Sequence, residues 1–411
     1  MNERLFEAVA ARPENPLWEK YIRREKALYV RTDEIRSPFA RDYTRILHST
    51  AYRRLKHKTQ VFFNINNDHI CTRMEHVAHV ESVSSSIARA LGLNAELTQA
   101  IATGHDLGHA PFGHQGEKVI DELSKKYLGK PFWHEKNGLR IVDKLELLED
   151  NYSVPRNLDL TFAVRDGILS HCGELDKNGL FPREIDVPLE TFDAPGKYEA
   201  ASWEGCVVKI ADKIAYVGRD IEDADSLGFL DQNDKHILLQ MARARDERVM
   251  NTTVIMHNMI LDICNNSSPE NGIRMSGELH AQLTELKTFN YRHIYHHPRL
   301  QPFVKYSELV LHQIFETLRG FYDGKHTFAC IEKNGGFTPN LSGSFADFLA
   351  RYCDPVIVPE GTMRETTLHC ENEKLYGTLE CETDYLQAVV DFMSGMTDRF
   401  AIELFRELLE Y

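Results

Sequence analysis

The sequence lacks the features that define several large classes of protein. No apolar run among its 411 residues approaches the ~20 residues that span a bilayer. The net charge of −14 leaves no general excess of basic residues, which a nucleic-acid or membrane-surface binder would need. There is no internal repeat and no low-complexity linker. What remains is an ordinary globular composition with ample length for a large core.

The cysteines also lack a pattern. Eight of them are scattered along the chain without a Cys-x-x-Cys pair, which fits reduced thiols better than a disulfide framework. The first twenty residues are charged throughout and do not read as a signal peptide. We therefore expect a cytoplasmic protein without a membrane segment.

Helical periodicity dominates what is present, so the predicted fold class is mainly α. Thr72 and Glu75 form a predicted capping box, Gly92 ends that helix, and Asn94 caps the next, which runs to about His105. Further helices are predicted over Asp42–Gln60, Glu135–Leu148, Thr161–His171, Ala200–Asp223, Lys235–Asn265, Met275–Asn290, Pro302–Asp323, Leu341–Tyr352 and Asp384–Glu410. Strand signals are few and short, Cys330-Ile331 and Val356–Val358 among them.

Histidines are concentrated between Thr72 and Glu117, where five of them lie within otherwise apolar helical sequence. One of these, His105, is directly followed by Asp106. A structural core does not need so many imidazoles, whereas a metal site with acid/base chemistry beside it does. This stretch is therefore the predicted functional centre.

Four residues form a candidate set of metal ligands. Spacing places His76 on the same helix face as Arg73, and His105 with Asp106 can meet one ion at a helix end. Asp212 is an acidic residue within an apolar helix, which is unfavourable unless it binds a cation or a donor. Two nitrogens and two carboxylates suit a six-coordinate Mn, Fe, Co, Ni or Mg ion better than closed tetrahedral zinc.

Further titratable residues follow the His-Asp pair. His109, His114 and Glu117 lie where a loop enters a helix, and His134 adds another imidazole. A histidine beside a carboxylate is the usual arrangement for proton transfer. Each of these residues, taken alone, fits a helix cap or a solvent-facing pair equally well.

These segments resemble the HD-domain metal-dependent phosphohydrolases, and more narrowly the deoxynucleoside triphosphate triphosphohydrolases. The pattern of His76, His105-Asp106 and Asp212 is common to the whole HD superfamily. The narrower resemblance spans Arg41 to Ala401 and rests on RDYTRILHSTAYRRLKHKTQVF, TRMEH, HDLGHAPFGHQGE, ADKIAYVGRDIEDA and VVDFMSGMTDRFA. It implies an HD-domain helical bundle with an additional helical C-terminal region. The implied domains are an N-terminal helical segment with sugar and phosphate contacts (1–65), the HD core (66–230) and a phosphohydrolase-associated C-terminal region (231–411).

The implied reaction is metal-dependent hydrolysis of dNTPs, dGTP or several of them, to deoxynucleoside and inorganic triphosphate. By resemblance His76, His105, Asp106 and Asp212 hold the metal. His114 would be the acid/base residue assisted by Glu117, and His109 would line the phosphate site with His134. The remaining substrate contacts would be Arg73 and Lys213 to the triphosphate, Gln60 and Asp220 to the sugar 3′-hydroxyl, and Tyr216 against the sugar where a 2′-hydroxyl would clash.

The resemblance also implies a homo-oligomer, a hexamer among its forms, and a dNTP activator at a second site. The preferred base and the native metal stay open. An alternative is another HD phosphohydrolase, such as a 5′-nucleotidase or a cyclic-nucleotide or alarmone hydrolase, which would release different products. A non-catalytic dNTP sensor is a third reading, against which the presence of His114 and Glu117 beside a full ligand set weighs.

Overall fold

Helices make up most of the structure, as the sequence predicts. A computed structural model describes residues 4–26, 33–63, 67, 69–150, 152–172, 177–243, 252–359 and 370–410. Within these ranges the helices are α1 Trp18–Ile22, α2 Pro38–His48, α3 Thr50–Arg54, α4 Arg73–Leu91, α5 Ala95–Gly104, α6 Gly113–Leu128, α7 His134–Arg140, α8 Phe162–Ser170, α9 Trp203–Ser226, α10 Gln232–Arg243, α11 Thr252–Asn266, α12 Gly277–Asn290, α13 Gln301–Arg319, α14 Thr327–Asn334, α15 Pro339–Tyr352, α16 Glu382–Ser394 and α17 Asp398–Glu407. None of these helices is long and apolar enough to cross a membrane.

The predicted ends of the helices around the histidine-rich stretch are confirmed. The side chain of Thr72 accepts from the backbone N–H of Glu75, and the side chain of Glu75 accepts from the backbone N–H of Thr72. The predicted capping box is therefore present. Gly92 adopts the left-handed conformation at φ 85° and ends α4. The side chain of Asn94 accepts from the N–H groups of Glu96 and Leu97 and begins α5.

Several helices are shorter than the segments over which the apolar pattern predicts them. The 42–60 segment divides at Ser49, whose hydroxyl caps α3, and the 384–410 segment divides between Gly395 and Thr397. The 235–265 segment gives α10 and α11, and residues 244–251 between them lie outside the described structure. Apolar periodicity continues across such breaks because both helices face the same core, so it does not register a change of direction.

The strand predictions were wrong. Cys330-Ile331 lies within α14, and Val356–Val358 overlaps a 3₁₀ turn at Pro355–Ile357. Short apolar runs cannot be assigned to strand or helix by pattern alone. Conversely, the helix predicted over 135–148 ends as a π turn at Ile141–Leu145 and gives way to a strand. That strand, β1 Leu147–Glu149, pairs antiparallel with β2 Pro155–Asn157.

The buried side chains form two apolar clusters. The first runs from Phe6 to Ile294 and includes the inner faces of α4, α5, α8 and α9. The second runs from Ala110 to Phe405 and is built on α6, α13, α15, α16 and α17. The chain passes from the first cluster, at Leu107, to the second, at Ala110, within the histidine-rich stretch. That stretch therefore lies where the two cores meet. The division at residues 65 and 230 stays a prediction.

Helices α5 and α8 cross closely because each presents a glycine to an isoleucine of the other. A Cβ at Gly167 would lie 2.5 Å from Cδ1 of Ile101, and one at Gly104 would lie 2.7 Å from Cδ1 of Ile168. Both contacts are far shorter than ordinary van der Waals packing. The close crossing therefore requires glycine at both positions.

We predict that Gly167→Ala lowers the free energy of unfolding by ~1–3 kcal/mol, because three atoms of Ile101 crowd the new methyl group. The matched control is Gly343→Ala in α15, where a Cβ meets nothing within 4 Å and helix propensity gives a gain of ~0.5–1 kcal/mol. Thermal unfolding of both variants checks this. An unchanged or raised Tm for Gly167→Ala would contradict the close packing.

Candidate active site

Three helices bring the predicted metal ligands together. Helix α4 carries His76, α5 ends just before His105 and Asp106, and α9 carries Asp212. Nε2 of His76 lies 3.0 Å from Oδ1 of Asp212 and 3.9 Å from Oδ2 of Asp106. Nε2 of His105 lies 3.4 Å from Oδ1 of Asp106 and 3.9 Å from Oδ1 of Asp212. Ligand atoms of His76, His105 and Asp212 all lie within 4.8 Å of one another, so the cluster could hold a metal ion.

The hydrogen bonding of His105 fits the role of a metal ligand. Its Nδ1 donates to the carbonyl oxygen of Ala102 at 2.6 Å, so Nε2 is the nitrogen directed towards the carboxylates of Asp106 and Asp212. That nitrogen is buried and has no hydrogen-bond partner in the protein. An imidazole fixed through one nitrogen with the other left open is the usual arrangement of a metal-binding histidine.

The two carboxylates of the cluster are held in their charged form. Burial by itself would raise the pKa of Asp106, but His105, His109 and Arg73 bring it well below its usual value. For Asp212, burial is likewise outweighed by the hydrogen bond from His76, and its pKa is lowered to about 2. Both groups are therefore ionised at neutral pH, as metal ligands must be.

Arg73 adds a buried positive charge beside the cluster. Its Nη1 donates to Oδ2 of Asp106 at 2.9 Å, while Nε and Nη2 are buried without a hydrogen-bond partner. Leaving guanidinium N–H groups unsatisfied is costly, so this position could hold an anion. A Cβ at Gly113 would lie 3.6 Å from Nη2 of Arg73 and 3.6 Å from the backbone oxygen of Gln60, so both groups lie next to the backbone of Gly113. The side-chain Oε1 of Gln60 is also buried and unpaired.

Glu117 lies among three imidazoles. Its carboxylate accepts from the backbone N–H of His134 at 2.9 Å and lies 3.1 Å from Nδ1 of the same residue. It also lies 3.5 Å from Nδ1 of His114 and 4.0 Å from Nδ1 of His109. The His109 and His134 rings stack with their centroids 3.8 Å apart. The residues predicted for acid/base chemistry therefore form one contiguous group next to Asp106.

The stacked histidines have opposite charge preferences. Burial, Arg73 and His134 lower the pKa of His109 well below its usual value, so this ring stays neutral. Burial opposes the charge on His134 as well, but Glu135 and Glu117 raise its pKa well above the usual value. His134 is thus a cation at neutral pH, whereas His109 beside it is a neutral donor and acceptor.

Helix α9 carries the predicted sugar-reading residues on the face of Asp212. Tyr216 and Asp220 follow at intervals of one turn, and Lys213 lies next to Asp212; Tyr216 and Lys213 are half-buried. Asp220 is buried and accepts a 2.5 Å hydrogen bond from the hydroxyl of Tyr295. Burial raises the pKa of Asp220 to about 7. This end of the site can accept or donate hydrogen bonds.

Sequence reasoning missed two members of the site, His171 and Tyr295. His171 follows α8, and its ring centroid lies 4.9 Å from that of His105 and 5.5 Å from that of His134. Its Nδ1 contacts the carbonyl oxygen of Ile168 at 2.7 Å, the same arrangement as in His105. Burial and His105 lower its pKa to about 3, so it is neutral. The sequence offered one signal for His171, which was its position at the end of an apolar helix.

The chain is similar to known proteins along most of its length. The HD domain model matches residues 73–217. A relative from Desulfatibacillum aliphaticivorans is 38% identical over 69% of this chain and 73% of its own length. Others from Caldanaerobacter subterraneus and Clostridium tetani are 31% and 35% identical, over 91% and 80% of this chain and 86% and 88% of their own. All three are named deoxyguanosinetriphosphate triphosphohydrolase-like protein. The chain thus contains an HD domain and belongs to the deoxyguanosinetriphosphate triphosphohydrolase-like family.

We predict that the double change His105→Ala, Asp106→Ala removes metal binding, because it deletes the open imidazole nitrogen and the central carboxylate. The matched control is His312→Ala, a half-buried histidine of α13 in the second core. Protein incubated with Mn²⁺ and desalted would be analysed for bound metal by mass spectrometry. Stoichiometric metal in the double variant would show that the ligand set is wrong.

Proposed function

We propose that this protein hydrolyses dNTPs to deoxynucleoside and inorganic triphosphate with the help of a divalent metal ion. The observation that carries the proposal is the buried guanidinium of Arg73, which has two unpaired nitrogens directly beside the His/Asp cluster. A buried cation next to a metal cluster suits a polyphosphate, which carries several negative charges. Membership of the family supports the same substrate class.

The ligand cluster and Arg73 would bind the triphosphate together. A divalent ion held by His76, His105, Asp106 and Asp212 would polarise a phosphoryl oxygen and activate water. Asp106 orients the guanidinium through Nη1, so that Nε and Nη2 are free to contact phosphate oxygens. Lys213 is proposed as a further phosphate contact, from its position beside Asp212.

Glu117 and the histidines around it would supply the proton that the leaving 5′-oxygen requires. His114 is exposed, with 76% of its side chain accessible, and Glu117 lies 3.5 Å from its Nδ1. This arrangement fits an acid/base residue that meets substrate and is oriented by a carboxylate. The cationic His134 would bind phosphate oxygens. The neutral His109 would donate or accept a hydrogen bond at the same phosphate site.

The deoxy preference would come from α9 and Gln60. Tyr216 lies half-buried one turn after Asp212 and would pack on the sugar where a 2′-hydroxyl would otherwise sit. Asp220, held by Tyr295, and the unpaired Oε1 of Gln60 would bind the 3′-hydroxyl. As parts of the same proposal, the protein would act as a homo-oligomer and bind a dNTP activator at a second site.

We predict that purified protein with Mn²⁺ releases inorganic triphosphate from at least one dNTP, offered alone or in a mixture of all four. Ion-exchange chromatography separates triphosphate from pyrophosphate and orthophosphate, and the Asp106→Ala variant serves as the inactive control. Release of pyrophosphate or orthophosphate instead would favour one of the other HD phosphohydrolases. Binding without any turnover would favour a sensor.

We predict that Glu117→Gln lowers kcat by ~10²-fold or more while bound metal is retained, because the neutral amide no longer supports charge on His134 or orients His114. Glu122→Gln is the matched control, an exposed glutamate on the same helix α6. Steady-state triphosphate release and metal content would be measured for both variants. Equal activity of the two would remove Glu117 from the mechanism.

A further inference from the structure

One buried carboxylate from the C-terminal region binds two backbone segments of the active site. Asp398, the first residue of α17, accepts from the N–H of Phe112 through Oδ1 and from the N–H of Thr59 through Oδ2, both at 2.8 Å. Thr59 directly precedes Gln60, and Phe112 precedes His114 by two residues. The two segments that Asp398 joins therefore carry a proposed sugar contact and the proposed acid/base residue.

Lys58 makes a second link to the same part of the chain. Its side chain is 3% exposed, and Nζ donates to the backbone oxygens of His109 and Ser394, the latter at 3.2 Å. Both of these hydrogen bonds go to backbone carbonyls, so the ammonium group joins the loop after α5 to the end of α16. Burial lowers the pKa of Lys58 to about 7, and the nearby carboxylate of Asp398 opposes that shift.

The backbone held by these groups is in an unfavourable conformation. Phe112 has φ 64°, in the left-handed region that an aromatic residue rarely adopts. Such a conformation costs roughly 1–3 kcal/mol and persists only where the surroundings fix it. Here the hydrogen bond to Asp398 and ring contacts with Phe63 and Phe303, at centroid distances of 5.3 and 6.2 Å, fix it. Helix α6, with His114 and Glu117 in its first turns, begins at the next residue.

The other end of the loop is held as tightly. The side-chain amide of Asn137 donates to the backbone oxygen of Gly108 at 2.8 Å, and the hydroxyl of Ser394 lies 3.4 Å from Oδ1 of Asn137. A Cβ at Gly108 would lie 1.9 Å from the backbone oxygen of His134, so this loop runs directly against α7. The loop from Gly108 to Phe112 is thus fixed at both ends by contacts that involve the 394–398 segment.

We propose that Asp398 is a positioning residue of the active site, which sets the place of His114 and Gln60 through the two backbone segments it binds. The inference rests on the proposed function for its catalytic readout, although its structural content does not. Misplacement of reacting groups by about 1 Å can cost ~10²-fold in rate, so a positioning residue affects turnover well beyond its effect on stability.

A purely structural carboxylate in the same chain provides the matched comparison. Glu204, in the first turn of α9, is fully buried and accepts from the N–H groups of Ala11 and Asn94 at 2.9 and 3.0 Å. It therefore joins two separate backbone segments from a helix N-terminus, as Asp398 does, and burial raises the pKa of both carboxyls. Neither Ala11 nor Asn94 belongs to the candidate site.

The test compares Asp398→Asn with Glu204→Gln in the full chain. In Asp398→Asn the N–H₂ group replaces an oxygen that accepts from one of the two backbone N–H groups, so one of the two bonds is lost. In Glu204→Gln a single amide oxygen can keep both N–H partners, as a weaker neutral acceptor. Thermal unfolding is therefore measured for both variants, and activities are compared at a temperature where both are folded. We expect kcat/KM for triphosphate release to fall at least tenfold in Asp398→Asn beyond any change in Glu204→Gln, with bound Mn²⁺ unchanged in both. Equal activities of the two folded variants would overturn the proposal.

Hydrogen–deuterium exchange gives a second test that does not require turnover or a stable variant. In the wild-type chain the amides of Thr59 and Phe112 should exchange slowly; exchange at the rate of unprotected amides would overturn the proposal. In Asp398→Asn, exchange should rise in peptides covering 58–61 and 108–116, whereas Glu204→Gln should raise it around Ala11 and Asn94. Absence of triphosphate release from the wild type would defeat the proposed function and leave this test in place.

Discussion

The charge of Asp106 is the constraint around which the site is built. This carboxylate is 3% exposed and lies 2.9 Å from Arg73, 3.0 Å from His109 and 3.4 Å from His105. A buried charge is tolerated only when opposite charges and donors surround it, and removal of one partner leaves it uncompensated. The N-terminus of α4 and the turn after α5 must therefore reach the same point. The capping box at Thr72 and the close crossing of α5 with α8 are local means of placing them there.

A second carboxylate, Glu117, gives the neighbouring histidines different roles. His109 and His134 are stacked, yet the pKa of His109 is lowered and that of His134 is raised. Burial lowers the pKa of both rings. For His134 the charges of Glu135 and Glu117 outweigh burial. For His109 the charges of Arg73 and His134 add to burial, and Asp106 offsets only part of the shift. Of the two stacked imidazoles, His134 thus favours the charged form and His109 the neutral form. Such separation of pKa values is common where acid and base roles are divided within an active site.

The sequence predicted those parts of the molecule that depend on local chemistry. Capping residues, helix periodicity and the clustered histidines all act over a few residues, and the structure agrees with them. Tyr295 was not found, because it reaches the site through a long-range hydrogen bond to Asp220 that no local pattern records. His171 had a local signal at the end of an apolar helix, but its approach to His105 is a tertiary contact. The pairing of β1 with β2 was missed as well, because strands of three residues carry too short an alternation to predict. The apolar helix around Asp212 indicated that residue, and the resemblance added Tyr216 and Asp220, but neither indicated Tyr295, which holds Asp220.

The position of the histidine-rich loop makes the active site dependent on both cores. Leu107 is packed in the first apolar cluster and Phe112 in the second, so only four residues separate the two anchors. His109 lies between them, with its backbone oxygen bound to Lys58 and its ring against Asp106. A shift of the C-terminal helices relative to α4 and α5 would be transmitted directly to this loop, because so short a segment cannot absorb it. The C-terminal region therefore helps to define the geometry of the candidate site, although its described helices supply none of the proposed ligands or acid/base residues.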